Sequence, residues 1–240
     1  MKKIEWGPVA HLPFLPRLFP MSCTLVKEDD GLTLIDACMP PMAKAIAEAI
    51  SQTGLPLARI VLTHAHGDHI GAVPALKKLF PDAAIGISGR DAWLLKGDRG
   101  LLAGEPQTPV RGGVPKQAPF APDFLIEDGD LIGSLAAIAT PGHTPGHMAF
   151  METRTDTLIV GDAFSTKGGI AVSGHMKLSF PFPAMATWHG PTAIESARKL
   201  ASLRPARLVV GHGSPIEHPV PAMNDAIAAA ERYWRKKAAQ

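Results

Sequence analysis

Cysteine is scarce here: Cys23 and Cys38 are the only two in 240 residues. A disulfide framework is excluded, and two buried thiols in a reducing compartment are the simpler reading. Neither cysteine stands in a metal-ligand spacing. No window approaches 18 uninterrupted apolar residues, so a membrane-spanning helix is excluded. Lys2 and Lys3 are followed by no apolar stretch, and Pro8, Pro13, Pro16 and Pro20 interrupt what comes next. No signal peptide is expected, and the cytoplasm is the expected location. Long runs of one charge are missing too. The net charge is +2, and the longest basic run, Arg235-Lys236-Lys237, reads as a solvated helix end. No nucleic-acid surface is expected.

What is present is enough apolar sequence for a sizeable core: 46% hydrophobic against 19% charged residues. Residues 22–27 and 32–36 predict paired strands around Asp30-Gly31, a turn that would set Cys23 opposite Cys38. Residues 41–51 predict a helix, 58–63 a buried strand, 68–80 a helix, 84–88 a strand and 91–96 a short helix. Further strands are predicted over 131–140, 148–152, 158–161 and 207–210, with helices over 192–203 and 219–237. Hairpins mixed with alternating strands and helices predict layered α/β (α+β) architecture with mixed sheets, as one domain over 1–240.

The informative segment is Thr63-His64-Ala65-His66-Gly67-Asp68-His69, between a buried strand and a helix. Residues two apart in extended chain share a side, so His64 and His66 can share one metal. Gly67 permits a sharp turn, after which Asp68 and His69 fall at the helix start and can face a second metal. Three more candidates each follow a predicted strand and a glycine: His143, Asp162 and His212. Any one of them alone is an ordinary loop residue. Together, at successive strand ends, they point to a metal site.

This set, with Leu34-Ile35-Asp36 and Pro141-Gly142-His143-Thr144-Pro145-Gly146-His147, resembles the metallo-β-lactamase superfamily over nearly the whole chain. The resemblance implies a four-layer αββα sandwich with metals at one edge. It implies that His64, His66 and His143 bind one metal, that Asp68, His69 and His212 bind another, and that Asp162 bridges both. Zinc is the expected pair, with iron or manganese as alternatives. Two cations about 3.5–4 Å apart can share a hydroxide that attacks a carbonyl or phosphoryl centre, with no serine or cysteine nucleophile. Asp68 is the candidate to orient that nucleophile or shuttle a proton. Asp36 and His147 are candidates to support the ligands from behind.

Among the branches, a bridging Asp162 argues against β-lactam hydrolysis as more than a side activity. Residues 213–240 are too short for the glutathione-binding helical domain of glyoxalase II, and His66 stands where diiron flavoproteins have glutamate. N-acyl homoserine lactonases fit the ligands, but Ser165 stands where many have a tyrosine, and the only tyrosine is Tyr233. The expectation is a hydrolase of a lactone, thioester or phosphoester. Persulfide dioxygenases with a single iron keep the same histidines and form the alternative.

Residues 97–122 and 164–191 are rich in Gly and Pro, and loops this long are usually functional. They are expected to flank the metals. Ser165, His175, Phe180, Trp188 and His189 are candidates to line the pocket. These loops, with Phe14, Leu15, Leu18 and Phe19, suggest a small-molecule substrate with apolar surface, or else a homodimer interface. His11 and His218 read as surface residues.

Overall fold

The computed structural model describes residues 3–15, 17 and 19–239; Leu18 lies outside them. Seven strands form the first sheet in sequence order: β1 (Ile4–Trp6), β2 (Val9–Phe14), β3 (Met21–Glu28), β4 (Gly31–Ile35), β5 (Leu57–Val61), β6 (Ala84–Ser88) and β7 (Phe124–Ile126). The first four are antiparallel neighbours and β4 to β7 run parallel. The second sheet is built from β8 (Leu131–Ile132), β9 (Leu135–Ala139), β10 (Met148–Glu152), β11 (Thr157–Ile159), β14 (Arg207–Val209) and β15 (Ile216–Glu217). A short ribbon, β12 (Phe164–Ser165) with β13 (Ala171–Val172), stands apart.

Side-chain alternation divides the interior into three cores. Leu25, Leu34 and Ile60 pack with one helical layer, α1 (Ala43–Ser51), α3 (Val73–Leu79) and α4 (Gly89–Leu95). Their neighbours Val26, Ile35 and Val61 point the other way, against Ala137, Phe150, Ile159 and Val209 of the second sheet. Ala149, Leu158 and Leu208 then meet α6 (Gly190–Ser202) and α7 (Val220–Ala238). The order is helix, sheet, sheet, helix, the expected αββα sandwich. No helix among the described residues is long and apolar enough to cross a membrane.

Several local expectations are corrected. Glu28 pairs with Gly31, so the tight turn is Asp29-Asp30 rather than Asp30-Gly31. That register puts Thr24 opposite Ile35, so Cys38 lies beyond the strand and is not paired with Cys23 across the ladder, although the two thiols still meet side by side. The helix expected over 68–80 is two, α2 (Gly67–Ile70) and α3, because Pro74 has no N–H to offer the turn before it. Residues 131–140 fold back at Gly133 (φ +61°) into the β8–β9 hairpin. Residues 164–191 hold β12, β13 and α5 (Phe182–Ala186). His11 is fully buried in β2, not on the surface; His218 is exposed.

Candidate metal centre

Five chain segments deliver the candidate residues to one edge of the two sheets. Asp36 follows β4, His64 and His66 follow β5, His143 follows β9, Asp162 follows β11 and His212 follows β14. Asp68 and His69 stand on the single turn of α2. The packing is close enough that a Cβ on Gly211 would sit 2.5 Å from Asp162 Oδ1. At Gly161 the backbone is left-handed (φ +46°), and a Cβ there would sit 2.5 Å from the Thr63 hydroxyl.

Each imidazole is fixed by its outer nitrogen. His64 Nδ1 meets the Thr63 hydroxyl at 3.0 Å, whose own hydrogen goes to Asp36 at 2.8 Å. His66 Nε2 donates to the Arg111 carbonyl at 3.0 Å, and His212 Nδ1 to the Pro20 carbonyl at 2.6 Å. His69 Nδ1 donates to Asp36 Oδ2 at 2.7 Å. His143 Nδ1 faces the Ser173 and Thr187 hydroxyls at 3.2 and 3.3 Å. Both hydroxyls donate to carbonyls, of Asp162 and Pro183, so they accept from His143.

With the outer positions committed, the inner nitrogens of His64, His66 and His143 present lone pairs, and those of His69 and His212 can do so once a cation replaces their proton. His66 Nδ1 lies 3.1 Å from His64 Nε2 and 3.0 Å from His143 Nε2. Asp162 Oδ2 lies between His143 Nε2 (3.3 Å) and His212 Nε2 (3.2 Å), and Asp68 Oδ2 is 3.2 Å from His212 Nε2. His69 Nε2 and Asp162 Oδ1 face each other at 3.3 Å, and neither has a well-aligned hydrogen-bond partner among the described residues. Lone pairs aimed at one another at these distances repel unless positive charge, a metal cation or an imidazolium proton, sits between them. The donor set therefore fits cations, and three groups could hold one: His64 with His66 and His143, His64 with His69 and Asp162, and Asp68 with His69 and His212.

The electrostatics agree. Burial pushes the His64, His66 and His143 imidazoles below their usual range, keeping them neutral as ligands must be. Burial also opposes charge on His69, but the Asp162 and Asp36 carboxylates outweigh it and raise its pKa well above normal. His212 goes up to about 10 against the same burial, through Asp162 and Asp68. Burial likewise works against charge on Asp162 and Asp68, yet the contacts with His212 and His69 hold both below the ordinary carboxylate range. The edge attracts positive charge.

A supporting layer surrounds these groups. Asp36 adopts φ +58°, tolerable for aspartate, and both oxygens accept hydrogen bonds, from Thr63 N and Oγ1 and from His69. His147 Nδ1 meets Thr140, and its Nε2 accepts from the Asp162 backbone N–H at 3.2 Å. Asp91, fully buried, was not anticipated. It ties Ala65 N (3.0 Å), between two ligand candidates, to Thr144 Oγ1 and Gly146 N (2.7 Å each), beside a third. Burial raises its pKa to about 6 despite these donors. Its spacing from the helix-capping Ser88 was the only sequence signal.

A cavity of about 360 Å³ opens onto His66, Asp68, Asp162 and His212. Its walls are Phe19, Met39, Phe182 and Met185, with Gly112 and Gly113 on the side of the earlier loop. Ser165, His175, Phe180, Trp188 and His189 do not line it. Phe180 packs behind, 5.6 Å from the His212 ring centre, while Trp188 and His189 line a second cavity beyond α5. The residues at the mouth lacked a periodic signal, because a loop and a five-residue helix supply them.

The sequence pattern of the metallo-beta-lactamase superfamily matches residues 16–212. The chain belongs to this superfamily. It is 50% identical to the uncharacterized protein YobT of Bacillus subtilis, over 97% of this chain and all of YobT. Hydroxyacylglutathione hydrolase GloC of Haemophilus influenzae is 29% identical, over 82% of this chain and 87% of GloC. Among solved structures, TTHA1623 in a di-iron-bound form is 27% identical, with TM-score 0.64 over 88% of this chain and 96% of that one. The superfamily is generally one of metal-dependent hydrolases, and the His and Asp cluster here suits divalent metals.

Proposed function

We propose that this protein hydrolyses an ester-like bond (a lactone, thioester or phosphoester) at a centre of two divalent cations, with zinc the expected metal. His64, His66 and His143 would hold one cation, Asp68, His69 and His212 the other, and Asp162 would face both. The observation that carries this reading is the convergence of five inner imidazole nitrogens and two carboxylates, every outer nitrogen already committed, beneath an open cavity. Bound there, divalent cations supply Lewis-acid polarisation of the scissile group and lower the pKa of a water.

The chain's own groups do the rest. Asp68 is the most exposed of the candidate ligands, its side chain 25% accessible against 4% for Asp162. It faces the cavity as an ionised carboxylate, suited to accept a hydrogen bond from the attacking water and orient it. Its low proton affinity makes it a better orienter than a proton store. Phe19, Met39, Phe182 and Met185 favour an apolar acyl portion and exclude bulk water. Thioester cleavage draws support from the likeness to GloC.

The deciding experiment is elemental analysis of the purified protein, followed by a panel of lactone, thioester, phosphotriester and β-lactam substrates. Two metals per chain and turnover of an apolar lactone or thioester are expected. One iron, no second metal and oxygen-dependent turnover of a persulfide would replace this reading with a dioxygenase.

A further inference from the structure

The second cavity, about 440 Å³, lies on the far side of α5 from the metal edge. It shares Met185 with the first cavity, and Arg111 on its wall is followed directly by Gly112 on the wall of the first. Its floor includes Thr187, whose hydroxyl faces His143 Nδ1 at 3.3 Å. The two cavities are thus neighbours, meeting at Met185 and at the Arg111-Gly112 step of the earlier loop.

The lining chemistry is unlike that of the first chamber. Trp188, Tyr233 and Trp234 contribute aromatic surface, and no acidic residue lines the cavity. Arg111 and Lys237 bring positive charge, and neither makes an ion pair among the described residues. Lys237 Nζ lies 4.6 Å over the Trp234 ring, so it is held at the wall. Trp188 is rigidly placed by its Nε1 donating to the Thr108 carbonyl at 2.8 Å. The last turn of α7 adds Arg235 and Lys236. The Tyr233 ring is itself backed by His175, whose ring lies 5.2 Å away.

Aromatic walls accept a flat unsaturated ring, and cations without carboxylate partners accept an anion. We infer that this chamber binds a planar ring carrying a negative charge, as the part of the substrate remote from the scissile bond. The inference rests on the hydrolase reading for its role, but not for the binding itself. The apolar chamber seats one side of the bond, and the other side extends past Met185 to Arg111 and Lys237.

The test is calorimetric titration of the purified, metal-loaded protein with 2-naphthalenesulfonate, whose sulfonate is a weak metal ligand. The neutral 2-naphthylmethanol and the ringless hexanesulfonate serve as comparisons. The sulfonate with the ring is expected to bind about tenfold or more tightly than either. The double variant Arg111→Ala/Lys237→Ala should lose that preference and keep its metal content, because only the Arg111 backbone touches His66. Phe182→Ala, in the other chamber, should keep the preference. Equal affinity for all three probes, or full retention of the preference in the double variant, overturns the inference. Selective binding without turnover of any ester would leave this site standing and sink the hydrolase reading, so the two failures are separable.

Discussion

Asp36 Oδ2 accepts a hydrogen bond from Nδ1 of His69 at 2.7 Å, and in doing so turns Nε2 of that ring toward Asp162. The same carboxylate holds Thr63, which in turn holds His64. One side chain outside the ligand set therefore fixes the tautomer or position of two ring donors. In Asp36→Asn the amide NH₂ must oppose a donor, from Thr63 or from His69. Affinity for the cation beside His69 should fall about 10- to 100-fold, as second-layer changes typically cause. Competition against a graded chelator measures it, and unchanged affinity would contradict the assignment.

Asp162 and His212 should differ as ligands. Asp162 Oδ2 stands between His143 and His212, so on the proposed two-cation reading Asp162→Ala would remove a donor common to both cations along with a charge that holds them together. His212→Ala removes a donor to one. Elemental analysis under the same metal supply should find both positions depleted in the first variant and chiefly one in the second. Equal occupancy in the two would refute the shared role.

The ligand candidates could be read in the sequence because metal binding imposes local spacing: His64, His66, Asp68 and His69 lie within six residues, and the other three follow a strand and a glycine. Asp36 could be proposed from the family position that the resemblance gives it, and His147 as a supporting candidate in the family-like segment from Pro141 to His147. Asp91 could not, since its partners lie 26 to 55 residues away and only the folded chain joins them. The N-terminal strands went unread because Pro8 and Pro13 suggest an irregular chain. Pro8 occupies the β1–β2 turn, and Pro13 lies beyond the last residue of β2 paired to β1. The apolar mouth is expected at Phe180 and Trp188, yet Phe180 packs inward and Trp188 edges the second cavity, and Phe182 and Met185 face the first instead. Side-chain direction in a loop has no period from which to read it.

His11 gives a prediction independent of metal. It is fully buried, both ring nitrogens lack a partner among the described residues, and burial pushes its pKa down to about 4. A depressed folded pKa means stability present above the unfolded value and lost as pH falls through the folded one. The window runs from about pH 6.5 down to about 4. By pH 5 the loss should be about 2 kcal/mol. His11→Phe, similar in shape but without a titrating group, should lose that much less than the parent between pH 7.5 and 5 in urea unfolding. Identical losses would show that His11 does not set the acid limb.

The apolar mouth makes the last prediction. Phe182 and Met185 are 52% and 59% exposed, a costly arrangement at about 25 cal/mol per Å² of apolar surface unless something covers them. A substrate acyl chain and a second copy of this chain are the two candidate covers. If the cover is substrate, Phe182→Ala and Met185→Ala should each raise KM about 5- to 150-fold for apolar lactones or thioesters, the equivalent of the roughly 1–3 kcal/mol that truncating an apolar pocket contact involves. Short polar esters should be affected much less. Metal content should not change, because neither side chain reaches a ligand candidate's outer nitrogen. A rise in kcat/KM selectivity for the shorter acyl chain would be the clearest sign, since it compares two substrates on the same metal centre. If both variants keep the parent's selectivity but elute as monomers where the parent elutes as a dimer, the exposed rim is an interface. The acyl portion must then be seated deeper, against Phe19 and Met39.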